Sequence, residues 1–452
     1  MTARKSLYRY ARMVSLAGLL GLFAGCGLAD NLLSVNNPDE INEDLLNDGQ
    51  LVDVLVAGVI RDFTHMYDNP FIWRGSMFTD EQITGINWEQ TARLSQRIVV
   101  FTEGDADLMF SEISRARFQG DSVSGRLRTL LESPDSDARL ALTRTLAGYA
   151  MITMGEAMCE GVIGTDAATI LQPVEMFEQA VPRLEGGLTV ALAAGADDIA
   201  NLARTGLARA HLSIGNMADV RTWAAQVPAG FQWWLEYSDN SAGEENYLQA
   251  RVTGSNHALG VHPKFLQGPF DATIDVQPDP RVQHTVDFSL GHNRLTHLYK
   301  PYQGLRYSEY NGATQGFGAG GTPLLYDDPT DILLADDLEA QHHFAEADGP
   351  TAATATFVNA RQAFGNQTVV AYTLPADAAA LMADLRDERG KDLFLGGFRL
   401  GDLRRWLRQG VGDFFPSGLH PTTEWGNYED ATCFPLPVEE YEGNPNLTKP
   451  TG

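Results

Sequence analysis

Apolar residues recur along much of the chain at the three-to-four spacing of an amphipathic helix. Leu51, Leu55, Val59, Phe63 and Met66 mark one such face, and Leu108 to Leu131 continues the pattern. The period is clearest between residues 140 and 228. There Leu140, Leu142, Leu146, Ala150 and Met154 predict one helix, Pro173, Phe177, Ala180 and Leu184 a second, and Leu202, Leu207, Ala210 and Leu212 a third. Gly215 ends that run, and Ala224, Val227 and Pro228 close a shorter fourth helix. Residues 229 to 330 lose the period and are rich in Gly, Pro, Asn, His and aromatic residues, which marks a loop-rich insertion of the kind that carries function. Helices resume near Thr330, run through Phe344-Ala345-Glu346-Ala347 and return from Ala376 to Leu395. The last forty residues read as irregular, because Pro416, Pro421, Pro435, Pro437, Pro445 and Pro450 disfavour helix.

The run Gly206 to Gly215, followed by Ala224, resembles one half of a tetratricopeptide repeat, in which small residues let paired helices approach closely. Gly148-Tyr149-Ala150 reads as an earlier copy. The offset from Gly148 to Ala208 is 60 residues, against a standard period of about 34. The predicted fold is therefore all-α, with tetratricopeptide-like helical repeats, elaborated rather than regular, and long irregular loop insertions.

Composition narrows the function. With 44% hydrophobic and 9% aromatic residues, the 452-residue chain can bury a large core. Its 33 Lys+Arg against 59 Asp+Glu leave a net charge of −26, which repels nucleic acid and anionic lipid headgroups. Three cysteines without a CxxC pair make neither a disulfide scaffold nor a zinc site.

Arg4, Lys5, Arg9 and Arg12 precede a short apolar run from Met13 to Gly25, the build of an export signal. That run is too short for a bilayer core about 30 Å thick. Ala24-Gly25-Cys26 resembles the bacterial lipobox, in which the cysteine is lipidated and becomes the new N-terminus, although Phe23 stands one place closer to the cysteine than the usual leucine. The other reading is a soluble secreted protein with an incidental Cys26. Cleavage before Cys26 removes four cations and no anion, taking the net charge from −26 to −30. Residues 1–25 thus read as a lipoprotein signal peptide and 26–40 as a lipidated tether, with membrane attachment through the lipid alone.

Catalytic and cofactor motifs test negative. Gly316-Phe-Gly-Ala-Gly-Gly321 matches GxGxxG literally but leads into Thr322-Pro323 instead of a helix, so it offers no pyrophosphate seat. His342 and His343 point about 100° apart on a helix and read as exposed or locally bonded rather than as metal ligands. Cys159 and Cys433 read equally as a bridge or as two buried thiols. Carboxylates are too abundant to single out a hydrolytic pair, whose separation of about 5 to 9.5 Å only a structure can supply. Asp327, Asp328, Asp331, Asp336, Asp337 and Glu339 read as a solvated group complementing a helix dipole. No catalytic residue, cofactor or metal site is expected.

From Leu385 the chain reads LRDERGKDLFLGGFRLGDLRRW, containing Glu388, Arg389, Gly397, Arg399, Asp402, Arg405 and Trp406. Glu388 and Arg389 read as a pair on one helix, and a further helical turn would let Arg399 meet Asp402, three residues on. Pro435-Leu436-Pro437, Glu440 and Asn444-Pro445-Asn446-Leu447 follow. Together these resemble the C-terminal signature of the SusD/RagB family of nutrient-binding outer-membrane lipoproteins, in which an ERxxEL helix leads to EGxRxxDLxRW, then PIPxxE and NPNL. Gly396 replaces the family's glutamate and the QNPGY ending is shortened, both departures of local packing. Thr79-Asp80-Glu81 resembles the early Asp-Glu motif more loosely. The resemblance implies a SusD-like α-helical domain over 41–452, with repeat-like helices at 140–228, an insertion at 229–330 and the signature at 385–452. It implies a lipid anchor in the outer membrane, with the chain facing the exterior, and delivery of an oligosaccharide, or in RagB-like members a peptide, to a SusC-like TonB-dependent barrel. The signature residues then form a structural ion-pair and packing network. A repeat scaffold binding only proteins and an extracellular glycoside hydrolase are the rival readings.

A sugar binder presents flat aromatic faces flanked by amides, carboxylates and arginine. Trp73, Asn87, Trp88 and Arg93 supply this mixture in one segment, and Tyr299, Tyr302, Tyr307 and Tyr310 in a second. Trp233, Trp234 and Tyr237 form a third aromatic cluster.

Overall fold

The computed structural model describes residues 47–85, 88–164, 170–241, 243–248, 259–265, 279–282, 284–287, 298–301, 331–422 and 425–448, with 284–287 and 298–301 as backbone. The signal segment, Cys26, the tether, Asn87, Tyr302, Tyr307, Tyr310 and the Gly316–Gly321 run lie outside them. Within residues 1–51, a unit of its own, Gly49–Leu51 forms a single 3-10 turn.

The compact unit from Val52 onward is mostly helical, as the periodicity predicts. Helix α1 (Val52–Met66) leads through a wide helical turn into α2 (Trp73–Phe78), strand β1 (Gln82–Thr84), α3 (Glu89–Ser95) and the long α4 (Gly104–Leu130). The repeat region comes next as α5 (Ala138–Ala157), α6 (Pro173–Ala194), α7 (Asp197–Ile214) and α8 (Met217–Ala224), with a small β2 (Gly161–Val162) and β3 (Ile170–Leu171) ribbon between the first two. Every residue of α5 from Thr145 to Ala157 is buried, so this helix is the axis around which the others pack. Its neighbours come close because of small residues: a Cβ on Gly206 would lie 2.8 Å from the Tyr149 ring.

The insertion is not structureless. Strand β4 (Gln232–Leu235) pairs antiparallel with β8 (Ile332–Asp336), β5 (Leu259–Val261) with β1, and β6 (His284–Asp287) with β7 (Leu298–Pro301). The expected helix near Thr330 is therefore a strand first. Its Ile-Leu-Leu-Ala run is buried on both sides, where apolar periodicity does not separate strand from helix. Then come α9 (Asp337–Asp348), α10 (Ala352–Phe364), α11 (Ala378–Asp392) and α12 (Arg399–Arg408). The last forty residues also hold a helix, α13 (Val438–Gly443), because Pro437 sits at its N-cap, where no N–H is needed. Cys159 and Cys433 are disulfide-bonded, joining the end of α5 to the segment before Pro435. Among the described residues no helix is long and apolar enough to cross a membrane.

The 385–408 segment ties these parts together through buried charge. Neither of the short-range pairs suggested by spacing forms. Arg399 reaches Asp80 instead of Asp402, with Nε and Nη2 at 2.5 and 2.7 Å from the two carboxylate oxygens, and Lys264 donates to the same group at 2.5 Å. The β1–β5 pairing makes this possible, since it sets the chain beyond β5 beside the residues before β1. Asp402 accepts from Arg389 at 2.7 Å and from Arg405 at 2.9 Å. Glu346 holds Arg405 and the Trp406 indole. Glu388 pairs with Arg281, not with Arg389, and Asp392 gathers Arg281, Arg361 and His342. Among the described residues Arg404 pairs with no carboxylate but donates to the carbonyls of Gly155 and Glu156 in the last turn of α5 and of Met158 just beyond it. Near the C-terminus, Asn444 is buried and its side chain accepts from the Asn446 N–H, shaping the turn around Pro445.

Two further expectations, histidines exposed or locally bonded and acids solvated at a helix start, are corrected in their exposure only. His342 and His343 are fully buried, the first on Asp392 and the second beside Arg389. Asp336 and Glu339 are also fully buried, with Asp336 capping α9 by accepting the Glu339 N–H, so they are not solvated. Both departures arise because β8 carries the start of α9 into the interior.

Burial alone would raise the Asp80 carboxyl, but Arg399 and then Lys264 outweigh it and hold it well below the usual range. Asp402 is likewise held down to about 2 by Arg389 and Arg405 against the effect of burial. Among the described residues Glu81 forms no ion pair, although Arg399 lies near enough to act on it. Burial pushes Glu81 up to about 8, only partly countered by the Leu395 N–H it accepts at 2.8 Å.

Replacing Asp80 by Ala strands a buried Arg399 and is expected to lower stability by roughly 3–5 kcal/mol in chemical denaturation. Asp53→Ala, which removes the exposed partner of Arg139, is the control at about 0–1 kcal/mol; equal effects would contradict the buried-pair account. For Glu81, the folded state keeps a proton that the unfolded state gives up between pH 4.5 and about 8, so stability falls as pH rises through that window. Glu81→Gln removes this loss. Its stability relative to wild type should therefore rise between pH 5 and pH 8 by a few kcal/mol, and a pH-independent difference would refute the assignment.

Candidate functional site

Helix α3 carries two of the expected ligand residues. Trp88 stands at its N-cap with 48% of its surface exposed, and Arg93 lies on its last turn, paired with Glu103 at 2.8 Å. Trp73 belongs to the core instead. It is 5% exposed, with Arg74 4.0 Å over its ring and Tyr247 packed edge-on. The α1–α2 turn points it inward, so it presents no face to a ligand. Tyr299 is placed only as backbone of β7. Of the third cluster, Tyr237 is buried and donates to the Thr64 carbonyl, while Trp234 is 37% exposed on β4.

Two residues just past the end of α3 fasten a distant loop. Gln96 donates to the Trp425 carbonyl and accepts the Glu429 N–H at 2.9 Å. Arg97 donates to the carbonyls of Pro416 at 2.6 Å and Ala431 at 2.9 Å. These bonds hold Arg97 at φ 65°, a left-handed conformation that a side chain of this size adopts only under constraint. Between the two anchor points, a Leu419–Asn427 bridge sets residues 418–420 against 426–428.

That loop assembles a ladder of rings. Trp425 and Tyr428 flank His420 at centroid distances of 5.0 and 4.8 Å, and His262, just beyond β5, continues the series 6.5 Å from Tyr428. Trp425, Tyr428 and His262 are half-buried, so they offer ring surface to a ligand, while His420 is buried beneath them. Burial pushes both histidines down to about 4, leaving them neutral near pH 7. Lys264 and Asp80 lie at the His262 end, and Trp88 and Arg93 on the helix that fastens the loop. Sequence reasoning missed Trp425, Tyr428, His420 and His262. The available signal was the aromatic spacing of Trp425 and Tyr428 in a proline-rich stretch, but only the Gln96 and Arg97 anchors join it to α3.

Ser95 and His420 resemble a nucleophile and its base but cannot act as one. The Thr422 N–H donates to Nδ1 at 3.0 Å, so the proton sits on Nε2, which donates to Ser95 Oγ at 3.1 Å. Among the described residues no group of three or more His, Cys, Asp and Glu could hold a metal ion. A cleft of about 370 Å³ between α1 and residues 236–240 and 243–245 is lined by Arg61, His65, Glu236, Tyr237 and Asn240 among others.

No family model matches the chain, and a search of curated proteins finds no relative. Solved structures do match. A SusD-like protein from Bacteroides fragilis NCTC 9343 aligns with a TM-score of 0.64 over 91% of this chain and 98% of that one at 14% identity. The chain has a SusD-like fold. A SusD superfamily protein from Bacteroides vulgatus ATCC 8482 aligns with a TM-score of 0.60 over 88% of this chain and 98% of that one at 13% identity. A laminarin-binding SusD-like protein aligns with a TM-score of 0.56 over 87% of this chain and 99% of that one at 14% identity. At these identities the backbone course is shared while most side chains differ, so the ladder of this SusD-like chain rests on its own residues.

Proposed function

We propose that this SusD-like chain is a member of the SusD/RagB family that binds a nutrient oligosaccharide without breaking it and passes it to a SusC-like TonB-dependent barrel in the outer membrane. The observation that carries the reading is the fold, shared over nearly the whole length with a laminarin-binding protein. The ladder supports it chemically. Half-buried rings at Trp425 and Tyr428 suit the apolar faces of pyranose rings, and Trp88 with Arg93 would add a second stacking face and hydroxyl donors. Asn87, Tyr299, Tyr302, Tyr307 and Tyr310 remain proposed contributors from their positions in the sequence. The Ser95–His420 tautomer argues against acyl transfer at this face. Attachment would run through a lipid on Cys26 after removal of residues 1–25, with the chain facing the exterior and the barrel as its protein partner.

Calorimetry with a panel of glycans, laminarin included, and of peptides should give saturable glycan binding without hydrolysis. Trp425→Ala and Trp88→Ala should each weaken it by roughly three- to tenfold. Binding of peptides alone, glycan cleavage, or unchanged affinity in both variants would overturn the reading. Cys26→Ala should move the protein from the membrane fraction to the soluble one; an unchanged distribution would rule out the lipid anchor.

A further inference from the structure

A second cleft, of about 330 Å³, lies between α8, α9 and the start of α10 and shares no residue with the ring ladder. Its volume is at the lower end of the range for small-molecule sites, about 300–1,000 Å³. The sequence of α9 explains one wall. Asp337, Gln341, Phe344 and Asp348 are spaced four, three and four apart, so they fall on one face. Eleven residues return the helix to within about 20° of its starting direction after about 16 Å, which sets a carboxylate at each end of this face and a ring between them.

The opposite wall is open because it is small. Ala224, Ala225 and Ala229 face α9 from the α8 side, and Ala353 stands at the start of α10. Phe357 lines the cleft from α10, its ring braced edge-on by His342 at 4.9 Å, which Asp392 fixes in turn. The cleft is thus an apolar slot between two phenylalanines with acid at both ends.

The carboxylates are only partly used. Asp337 accepts the Gly230 N–H at 3.1 Å and the Gln341 amide at 3.2 Å, and Asp348 accepts the Thr351 hydroxyl at 2.5 Å. No Lys, Arg or His lines the cleft among the described residues. Burial raises the Asp337 carboxyl above its ordinary range, so a cation arriving there would relieve a partly desolvated charge.

We propose that this cleft binds organic ammonium ions, with an aromatic or branched aliphatic body between Phe344 and Phe357 and the ammonium group on Asp337 or Asp348. Neutral sugars suit it poorly, since besides the two carboxylates it offers only the Gln341 amide and the Thr354 hydroxyl, which already bond Asp337 and the Ala345 carbonyl and cannot satisfy a hydroxyl on every carbon. The site is therefore distinct in chemistry from the proposed glycan face.

The test is calorimetry on the full chain with 2-phenylethylammonium and 3-phenylpropionate, which match in size and differ in charge. The ammonium ion should bind saturably, and the carboxylate should bind at least about tenfold more weakly. Asp337→Asn combined with Asp348→Asn should weaken ammonium binding by about tenfold. Ala353→Trp fills the slot from its exposed side and should abolish binding while leaving the thermal transition at the wild-type temperature. Absence of saturable ammonium binding, equal binding of the two probes, or full affinity in Ala353→Trp would overturn the proposal.

Discussion

The contact between Asp80 and Arg399 is the constraint on which the rest of the structure depends. Two charges removed from water are tolerated only when every lone pair and proton finds a partner, and here the guanidinium meets both carboxylate oxygens while Lys264 completes the set. Three segments far apart in the sequence must therefore be in register before the pair is satisfied. The β1–β5 pairing delivers Lys264, the turn before α12 delivers Arg399, and Glu81 next door accepts the N–H of Leu395, which the turn holds at φ 55°. Gly397, at φ 82°, completes that turn. A side chain there would be strained by the backbone conformation and would press within 2.9 Å of the Tyr67 hydroxyl.

The same logic extends outward from the turn. Arg389 and Arg405 share Asp402, Arg405 also holds Glu346 on α9, and Arg404 closes the carbonyl end of α5. The helical repeats are thereby joined to the C-terminal signature by hydrogen-bonded charge as well as by apolar packing. Such interactions are directional, and directionality distinguishes one arrangement of helices from the many that would bury similar area. The Cys159–Cys433 bridge reinforces the joint at the other end of the signature.

The proposed ligand face hangs from this frame rather than forming part of it. Arg97 and Gln96 fasten the 416–431 loop to the end of α3, and α3 comes directly after β1. Rings on a loop pinned at both anchor points can stay in place without being buried, which a stacking surface for sugars requires. The ammonium cleft between α8, α9 and α10 is built differently, with rigid helices leaving a slot because the facing residues are alanines.

The helices were legible in the chain because burial along one face imposes a period of 3.6, which α1, α4 and α6 to α8 follow, whereas α5 is buried all round over most of its length. The C-terminal motif was legible as a set of residues, as was the SusD-like fold it implied. Its pairings were not. Spacing pointed to Arg399 with Asp402, whereas the partner is Asp80, 319 residues away. Likewise β8 could not be told from a helix, since a short strand buried on both sides has no alternation, and the acids after it could not be known to be buried. Trp73 and Trp88 looked equivalent by composition, and only the turn between α1 and α2 sent one ring inward. Local patterns record which surfaces must be covered, so sequence alone determined most of the helices and the class of fold. Which residue covers which, and therefore where the ladder, the cleft and the buried charges lie, depends on long-range contacts that leave no period in the chain.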